Sequence, residues 1–238
     1  MFAARSIGHR GCAAYAPENT LAGLREAAKR GITWIEIDVC LLRDATPIII
    51  HDDSVDRTTD GKGFLSDLDW EQVAGLDAGS WFNPKFAGER VPRLDDALTE
   101  VQALGLGLNL ELKVHGREGE RLVEAIMPYL RDFGISRDSL LISSFDHGAL
   151  ATLHAAAPGF AIGLLYGEMA PDWRSVAEPL DAAAVIGDYR KANEAAIRDV
   201  TGDGRDFYVY TPNDPKVVYA QWRWGLDGVI SDDPQKFL

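Results

Sequence analysis

Four ionisable residues occupy places where a folded chain would ordinarily put apolar ones. In the run Trp34-Ile35-Glu36-Ile37-Asp38-Val39 the carboxylates Glu36 and Asp38 are two residues apart, and Glu111 and Lys113 share that spacing in Leu110-Glu111-Leu112-Lys113. A strand repeats its facing every two residues, so each pair projects from one face. The surrounding Ile, Val and Leu have the composition of a core, where an ionised carboxylate needs compensation. Three carboxylates drawn together would repel and take up protons, whereas an oxygen-seeking divalent cation would hold all three ionised. Glu36, Asp38 and Glu111 are therefore candidate ligands of one ion, Mg2+ or Ca2+, with Mn2+ compatible with the same donors. No close set of His and Cys suggests structural zinc. Salt bridges to Arg10 and Lys113 alone would account for either pair singly, but are disfavoured for all of them at one place.

His9 and His51 are two of only five histidines. A pair at one site can serve as general base and general acid near neutral pH. Arg10 offers a planar fork of donors suited to phosphate oxygens, and Lys113 a compact positive charge. Together with a divalent ion they outline an anion pocket, for which phosphate is the natural guest. His115, His147 and His154 are read as structural.

Positioning these groups requires strands that end at one mouth. Short β-branched or apolar runs at residues 6–9, 34–39, 107–112, 140–144, 161–165, 183–187, 207–210 and 227–231 read as strands. Segments 20–30, 93–104, 119–132 and 214–222 repeat apolar positions three or four apart and read as helices. Eight parallel strands with interposed helices in 238 residues fit a closed (β/α)8 TIM barrel better than an open sheet. The carboxyl ends of such strands carry His9, Arg10, Glu36, Asp38, Glu111 and Lys113 to one rim. The run 47–51 follows too closely on Val39 for a parallel crossover, so it must return antiparallel. A turn at 44–46, centred on Ala45, would set His51 opposite Val39 and beside Asp38. Residues 52–92, rich in Gly and Pro, read as a loop-rich insertion within one domain spanning residues 1–238.

The bulk composition narrows the setting. A formal net charge of −13 disfavours nucleic acid and anionic lipid as partners. No signal peptide or membrane anchor is apparent, and no run of 18 apolar residues occurs. Two cysteines, Cys12 and Cys40, make no disulfide framework and no zinc motif, so a reducing cytoplasm is the expected location.

The stretches IGHRGCAAYAPENTLAGLREA, WIEIDVCLLRDATPIIIHDDSVDRTTDGKG and LNLELK resemble the glycerophosphodiester phosphodiesterases, and so do LDAGSWFNPKFAGERVPRLDDAL, ISSFDHGAL, VYTPNDP and GLDGVISDDP. The resemblance covers nearly the whole chain. It implies a phospholipase-C-like TIM barrel with an insertion after the second histidine. It also implies a metal on Glu36, Asp38 and Glu111, acid and base at His9 and His51, and phosphate contacts from Arg10 and Lys113. Glu18 matches a family position and is expected to orient Arg10 or a histidine. Tyr210 stands where the family usually has Trp, Pro212 replaces an aliphatic residue, and Ala45 replaces a Gly common in the hairpin turn. Trp81, Phe82, Phe145 and Tyr210 are candidates for the wall of the alcohol pocket.

The resemblance further implies metal-dependent hydrolysis of small glycerophosphodiesters, such as glycerophosphocholine or glycerophosphoethanolamine, to sn-glycerol 3-phosphate and an alcohol. The nucleophile is water or the substrate's own 2-hydroxyl, with His9 assigned as base and His51 as acid, roles that exchange in a cyclic route. The competing activity is phospholipase D-like cleavage of lysophospholipids, and a silent metabolite-binding barrel is the third reading. Which alcohol leaves, and whether the chain is a monomer or a homodimer, are left open.

Overall fold

Parallel strands pair in a ring whose ends meet. The computed structural model describes residues 4–116, 118–132 and 137–238. Its strands are β1 (Ser6–Gly8), β2 (Trp34–Leu41), β3 (Pro47–Ile49), β4 (Gly107–Leu112), β5 (Leu140–Ser144), β6 (Ala161–Tyr166), β7 (Ala184–Asp188), β8 (Asp206–Tyr210) and β9 (Gly228–Ser231). All but β3 run parallel in the order β1-β9-β8-β7-β6-β5-β4-β2, and the pairing of Gly8 with Ile35 closes the circle. The described residues thus form a closed eight-stranded parallel barrel with helices between the strands, the TIM barrel expected from the sequence.

Two apolar layers follow from the period of two. Ile35, Ile37, Val39, Leu108, Leu110 and Leu112 face outward and join one core with α1 (Leu21–Lys29), α3 (Leu94–Leu104) and α4 (Gly119–Asp132). Inside the barrel Ile7, Trp34, Leu141, Leu165, Ile186, Tyr208 and Ile230 form a separate cluster that plugs its lower part. Trp34 thus belongs to the inner face of β2, and Glu36 and Asp38 rise above it on that face. Helix starts are signalled locally. Thr20 accepts a hydrogen bond from Gly23 N at the head of α1, and Asp146 does the same for Ala149 N at the head of α5 (His147–Ala156). The helix expected at 214–222 begins instead as a 3-10 turn, Pro215–Val218, before the α-helix Tyr219–Trp224.

The hairpin forms, but in a different register from the one expected. β3 pairs antiparallel with β2 so that Ile49, not His51, faces Val39, with Ile48 opposite Cys40. The pairing is centred on Asp44 rather than Ala45: Leu42 N donates to Thr46 O, so the turn is the three residues 43–45, one position earlier than 44–46. His51 then lies just past the last bridge, where Ile50 N donates to Asp38 O. Residues 52–92 contribute Val55, Leu65, Val73, Ala78 and Val91 to a third cluster, seated on Cys40, Leu42, Ile48 and Ile50 of the hairpin. Each fully buried Val or Leu contributes about 1.5–3 kcal/mol, enough for this segment to be held without a sheet of its own.

Ala45 carries φ 66°, in the left-handed region that disfavours a side chain. Ala45→Gly is expected to raise stability by about 0.5–1 kcal/mol in a denaturant titration, since relief of the left-handed cost exceeds the added freedom of the unfolded glycine. A lower unfolding midpoint for the variant would contradict this account of the turn.

Candidate active site

β2 and β4 lie side by side with Asp38 directly opposite Glu111, and Glu36 is one inward step earlier on β2. The three carboxylates are buried, at 2%, 0% and 8% exposure for Glu36, Asp38 and Glu111. One oxygen from each lies within 4.8 Å of the others. Burial, reinforced by Asp38 and Glu111, drives the Glu36 carboxyl well above its ordinary range. Burial and the neighbouring Asp38 also push Glu111 up, to about 7. Asp38 goes the other way: burial opposes its charge, but Lys113, Arg10 and His51 outweigh it, with Asn19 hydrogen-bonding to it, so it is held below the usual range.

The cations are fixed by these acids. Lys113 Nζ lies 3.2 Å from Asp38 Oδ1 and contacts Glu111 Oε1. Against the desolvation that disfavours its charge, the three acids hold the ammonium above its ordinary pKa. Arg10 has φ 50°, and its amide donates to Glu36 Oε2 at 2.9 Å. Its side chain places Nε 3.6 Å from Asp38 Oδ2 and one terminal nitrogen 2.7 Å from Glu18 Oε1. Asn19, at φ 55°, donates to Asp38 Oδ2 and accepts from Asp38 N. Left-handed backbone at two non-glycine residues beside one carboxylate cluster is strain that the surrounding hydrogen bonds must hold. The turn between β1 and α1 is equally tight: a Cβ at Gly8 would stand 1.9 Å from Gly11 O.

Both histidines have a carboxylate behind them. His9 Nδ1 is 2.6 Å from Asp232 Oδ1, and His51 Nδ1 is 2.8 Å from Asp52 Oδ1. An ionised carboxylate only accepts, so each Nδ1 carries the hydrogen and each neutral ring keeps Nε2 free to take a proton. Asp52 is held far below its usual range, first by its bonds from Arg57 and then by His51, against a burial penalty. Asp232 is lowered despite burial, by His9 and Asn213. His9 Nε2 faces Glu36 Oε2 at 3.9 Å. Burial lowers the pKa of His51, assisted by Lys113 and Arg10 and opposed by Asp38 and Asp52.

His9, Arg10, Glu36, His51, Glu111 and Lys113 line one cavity of about 190 Å³, with Phe145, Leu165, Tyr210 and Ile230 as its apolar wall. The rings of Phe145 and Tyr210 meet edge to face at 5.9 Å. Trp81 and Phe82 lie elsewhere. They stack edge to face in the insertion, where Trp81 Nε1 donates to Ala78 O, and neither reaches the cavity. The sequence analysis did not single out Asp232, Asp52, Asn19 or Arg57. Asp232 directly follows β9, at a strand end like the other site residues, and Asp52 directly follows His51; those positions were the available signal. Arg57 gave none.

Glu36 Oε1 and Asp38 Oδ1 are buried and accept no hydrogen bond from the described residues, the Lys113 ammonium standing beside Asp38 Oδ1 as an ion pair. Ligand oxygens around Mg2+ or Ca2+ stand at most about 5 Å apart, so this donor set fits a hard divalent ion, and the acidic cluster could hold one.

Comparison with known proteins agrees with this geometry. A family model described as the glycerophosphoryl diester phosphodiesterase family matches residues 9–236. A glycerophosphodiester phosphodiesterase of Caldanaerobacter subterraneus subsp. tengcongensis is 33% identical over 238 residues, covering 98% of this chain and 95% of that protein. The structure of an Oleispira antarctica phosphodiesterase in complex with the product sn-glycerol-3-phosphate superposes with a TM-score of 0.93 at 36% identity, covering 97% of this chain and 94% of its own. An Agrobacterium tumefaciens glycerophosphodiester phosphodiesterase gives a TM-score of 0.79 at 27% identity, covering 97% of each chain.

The raised carboxyls make stability depend on pH with a definite sign. A carboxyl whose folded pKa exceeds its unfolded value stabilises the fold below the unfolded pKa, and that contribution is lost as pH rises through the folded value. For Glu111 the window runs from the ordinary glutamate range up to about 7. The metal-free chain should therefore lose stability from this group between about pH 4.5 and 7. Added Mg2+ or Ca2+, which must displace those protons, should raise the melting temperature more at pH 8 than at pH 5. An equal or larger shift at pH 5 would count against the cluster as the binding site.

Proposed function

The chain belongs to the glycerophosphoryl diester phosphodiesterase family and is an enzyme of that activity, and from that premise we propose that it hydrolyses small glycerophosphodiesters such as glycerophosphocholine and glycerophosphoethanolamine to sn-glycerol 3-phosphate and the alcohol. What carries the proposal is the arrangement of two carboxylate-backed histidines, two cations and three buried carboxylates about one cavity. The product named for the Oleispira antarctica relative supports the glycerol phosphate half of the substrate. The reading takes the whole chain as one barrel domain with residues 52–92 as its insertion, working as a metal-dependent enzyme in the cytoplasm.

Glu36, Asp38 and Glu111 would hold one divalent ion, Mg2+, Ca2+ or Mn2+, which when bound supplies positive charge for the phosphoryl oxygens. Arg10 and Lys113 add fixed positive charge on the same side, already oriented by Glu18 and Asp38, so little reorganisation is needed as charge develops on phosphorus. His9 accepts the proton of the attacking hydroxyl, water or the substrate's 2-hydroxyl, on Nε2, while Asp232 stabilises the imidazolium through Nδ1. His51 enters the step as the imidazolium, with Nδ1–H on Asp52, and donates its Nε2 proton to the departing alkoxide as its bond to phosphorus breaks. If the 2-hydroxyl attacks, the cyclic phosphate is opened by water with the two histidines exchanging roles. Phe145 and Tyr210 offer an apolar wall to the organic part of the diester.

With Mg2+, Ca2+ and Mn2+ tried in turn, the enzyme should release choline from glycerophosphocholine faster than from lysophosphatidylcholine, leaving sn-glycerol 3-phosphate in the first case, and excess chelator should abolish turnover. His51→Ala and Glu36→Gln should each lower kcat by at least about a hundredfold. Preferred cleavage of the lysolipid would replace this substrate class with the phospholipase D-like one, and full turnover in chelator would remove the ion. Asp232→Asn should reduce kcat by about 10- to 100-fold with little change in KM, because it disturbs the His9 tautomer and not substrate contact.

A further inference from the structure

Arg57 belongs to the insertion, yet its guanidinium reaches back to the barrel mouth. Nε donates to Asp52 Oδ2 at 2.6 Å and one terminal nitrogen to Asp52 Oδ1 at 2.9 Å. That same terminal nitrogen donates to Glu18 Oε1 at 2.8 Å, and the other donates to Glu18 Oε2 at 2.7 Å. Both carboxylates are gripped in bidentate fashion by one planar group. Each of them also holds a group that lines the cavity. Glu18 Oε1 accepts from Arg10 at 2.7 Å, and Asp52 Oδ1 is 2.8 Å from His51 Nδ1. The outcome is an unbroken chain of hydrogen bonds, His51–Asp52–Arg57–Glu18–Arg10, that joins β3, the insertion and the β1–α1 turn.

A single guanidinium between two carboxylates does more than neutralise them. Its rigid fork fixes the angle between the two acids, which a lysine with one point charge cannot do. Without it Glu18 and Asp52 would confront each other as like charges, and each could swing only by dragging Arg10 or turning the His51 ring. Glu18 is largely buried, with a side chain 11% exposed, so it has no alternative partner in bulk water. Arg57 is 44% exposed and is not among the residues that line the cavity; its bonds run to Glu18 and Asp52.

We infer that Arg57 is a positioning residue that makes the phosphate-facing Arg10 and the proton-transferring His51 a single mechanical unit, so that the insertion sets the distance between the two. The inference rests on the proposed function, in which both groups act on one diester. Among the described residues Arg57 is what links Glu18 to Asp52, so loss of either acid should break the same link, and losing both should cost little more than losing one.

The test is a double-mutant cycle on glycerophosphocholine hydrolysis by the metal-loaded full chain, with Glu18→Gln and Asp52→Asn made singly and together, in native and Arg57→Met backgrounds. In the native background each single change should lower kcat/KM at least about tenfold, and the double should fall within about threefold of the poorer single. In Arg57→Met, already reduced at least about tenfold, the two further changes should act independently and multiply, because Glu18 then bears on Arg10 and Asp52 on His51 without a link between them. Arg57→Lys, which keeps the charge and loses the fork, should recover no more than about a tenth of native activity. Multiplicative losses in the native background, or near-native activity of Arg57→Met, would overturn the inference. Melting curves separate loss of fold from loss of coupling. If Arg57→Met does not fold, the native-background cycle decides by itself. Absence of turnover by the native chain would instead be a failure of the proposed substrate.

Discussion

Three carboxylates share a space less than 5 Å across inside a barrel plugged with hydrocarbon, and the rest of the site is arranged around that repulsion. At an effective dielectric of about 20, two unit charges 4.8 Å apart cost about 3 kcal/mol, so three ionised acids would cost on the order of 10 kcal/mol. That equals the whole net stability of an ordinary domain. The chain responds in two ways at once. Lys113 and Arg10 sit on Asp38, which stays ionised, while Glu36 and Glu111 are driven toward the protonated form. A divalent ion is the third response, and it is the one the donor geometry fits.

The barrel makes such a cluster affordable only at its mouth. Below it, Trp34, Tyr208, Leu141 and Ile186 fill the barrel with aromatic and aliphatic side chains. Above it, the strand ends pass into loops whose backbone can bend to bring Arg10 and Asn19 into left-handed conformations against Glu36 and Asp38. β2 runs past the rim and is capped by the hairpin, and this extension delivers His51 to the cavity that His9 also lines. The insertion is packed on the hairpin, so its aromatic tip at Trp81 and Phe82 lies away from the cavity while its Arg57 returns to it.

Both histidines are oriented by acids, but the acids differ in company. Asp232 shares its charge with the neutral amide of Asn213, whereas Asp52 is shared with the guanidinium of Arg57. An unshared carboxylate stabilises an imidazolium more than one already paired with a cation. Two imidazoles with unequal support suit a reaction in which one must gain a proton while the other gives one up.

The strand pattern, the barrel and the seven polar residues at its rim were legible in the sequence because they obey short-range rules: a period of two, and polar side chains where a core should be. Phe145 and Tyr210 were also named for the wall they form, but Trp81 and Phe82 were not separable from them, since aromaticity does not say which way a loop runs. The hairpin was foreseen and its register missed by one residue at the centre, because where a turn begins depends on its hydrogen bonds and not on its composition alone. Only the tertiary structure brought Asp232 from the last strand to His9, and Arg57 from the insertion to Glu18 and Asp52. His9 and Asp232 are separated by 223 residues and Glu18 and Arg57 by 39, and no local periodicity encodes contacts over such separations.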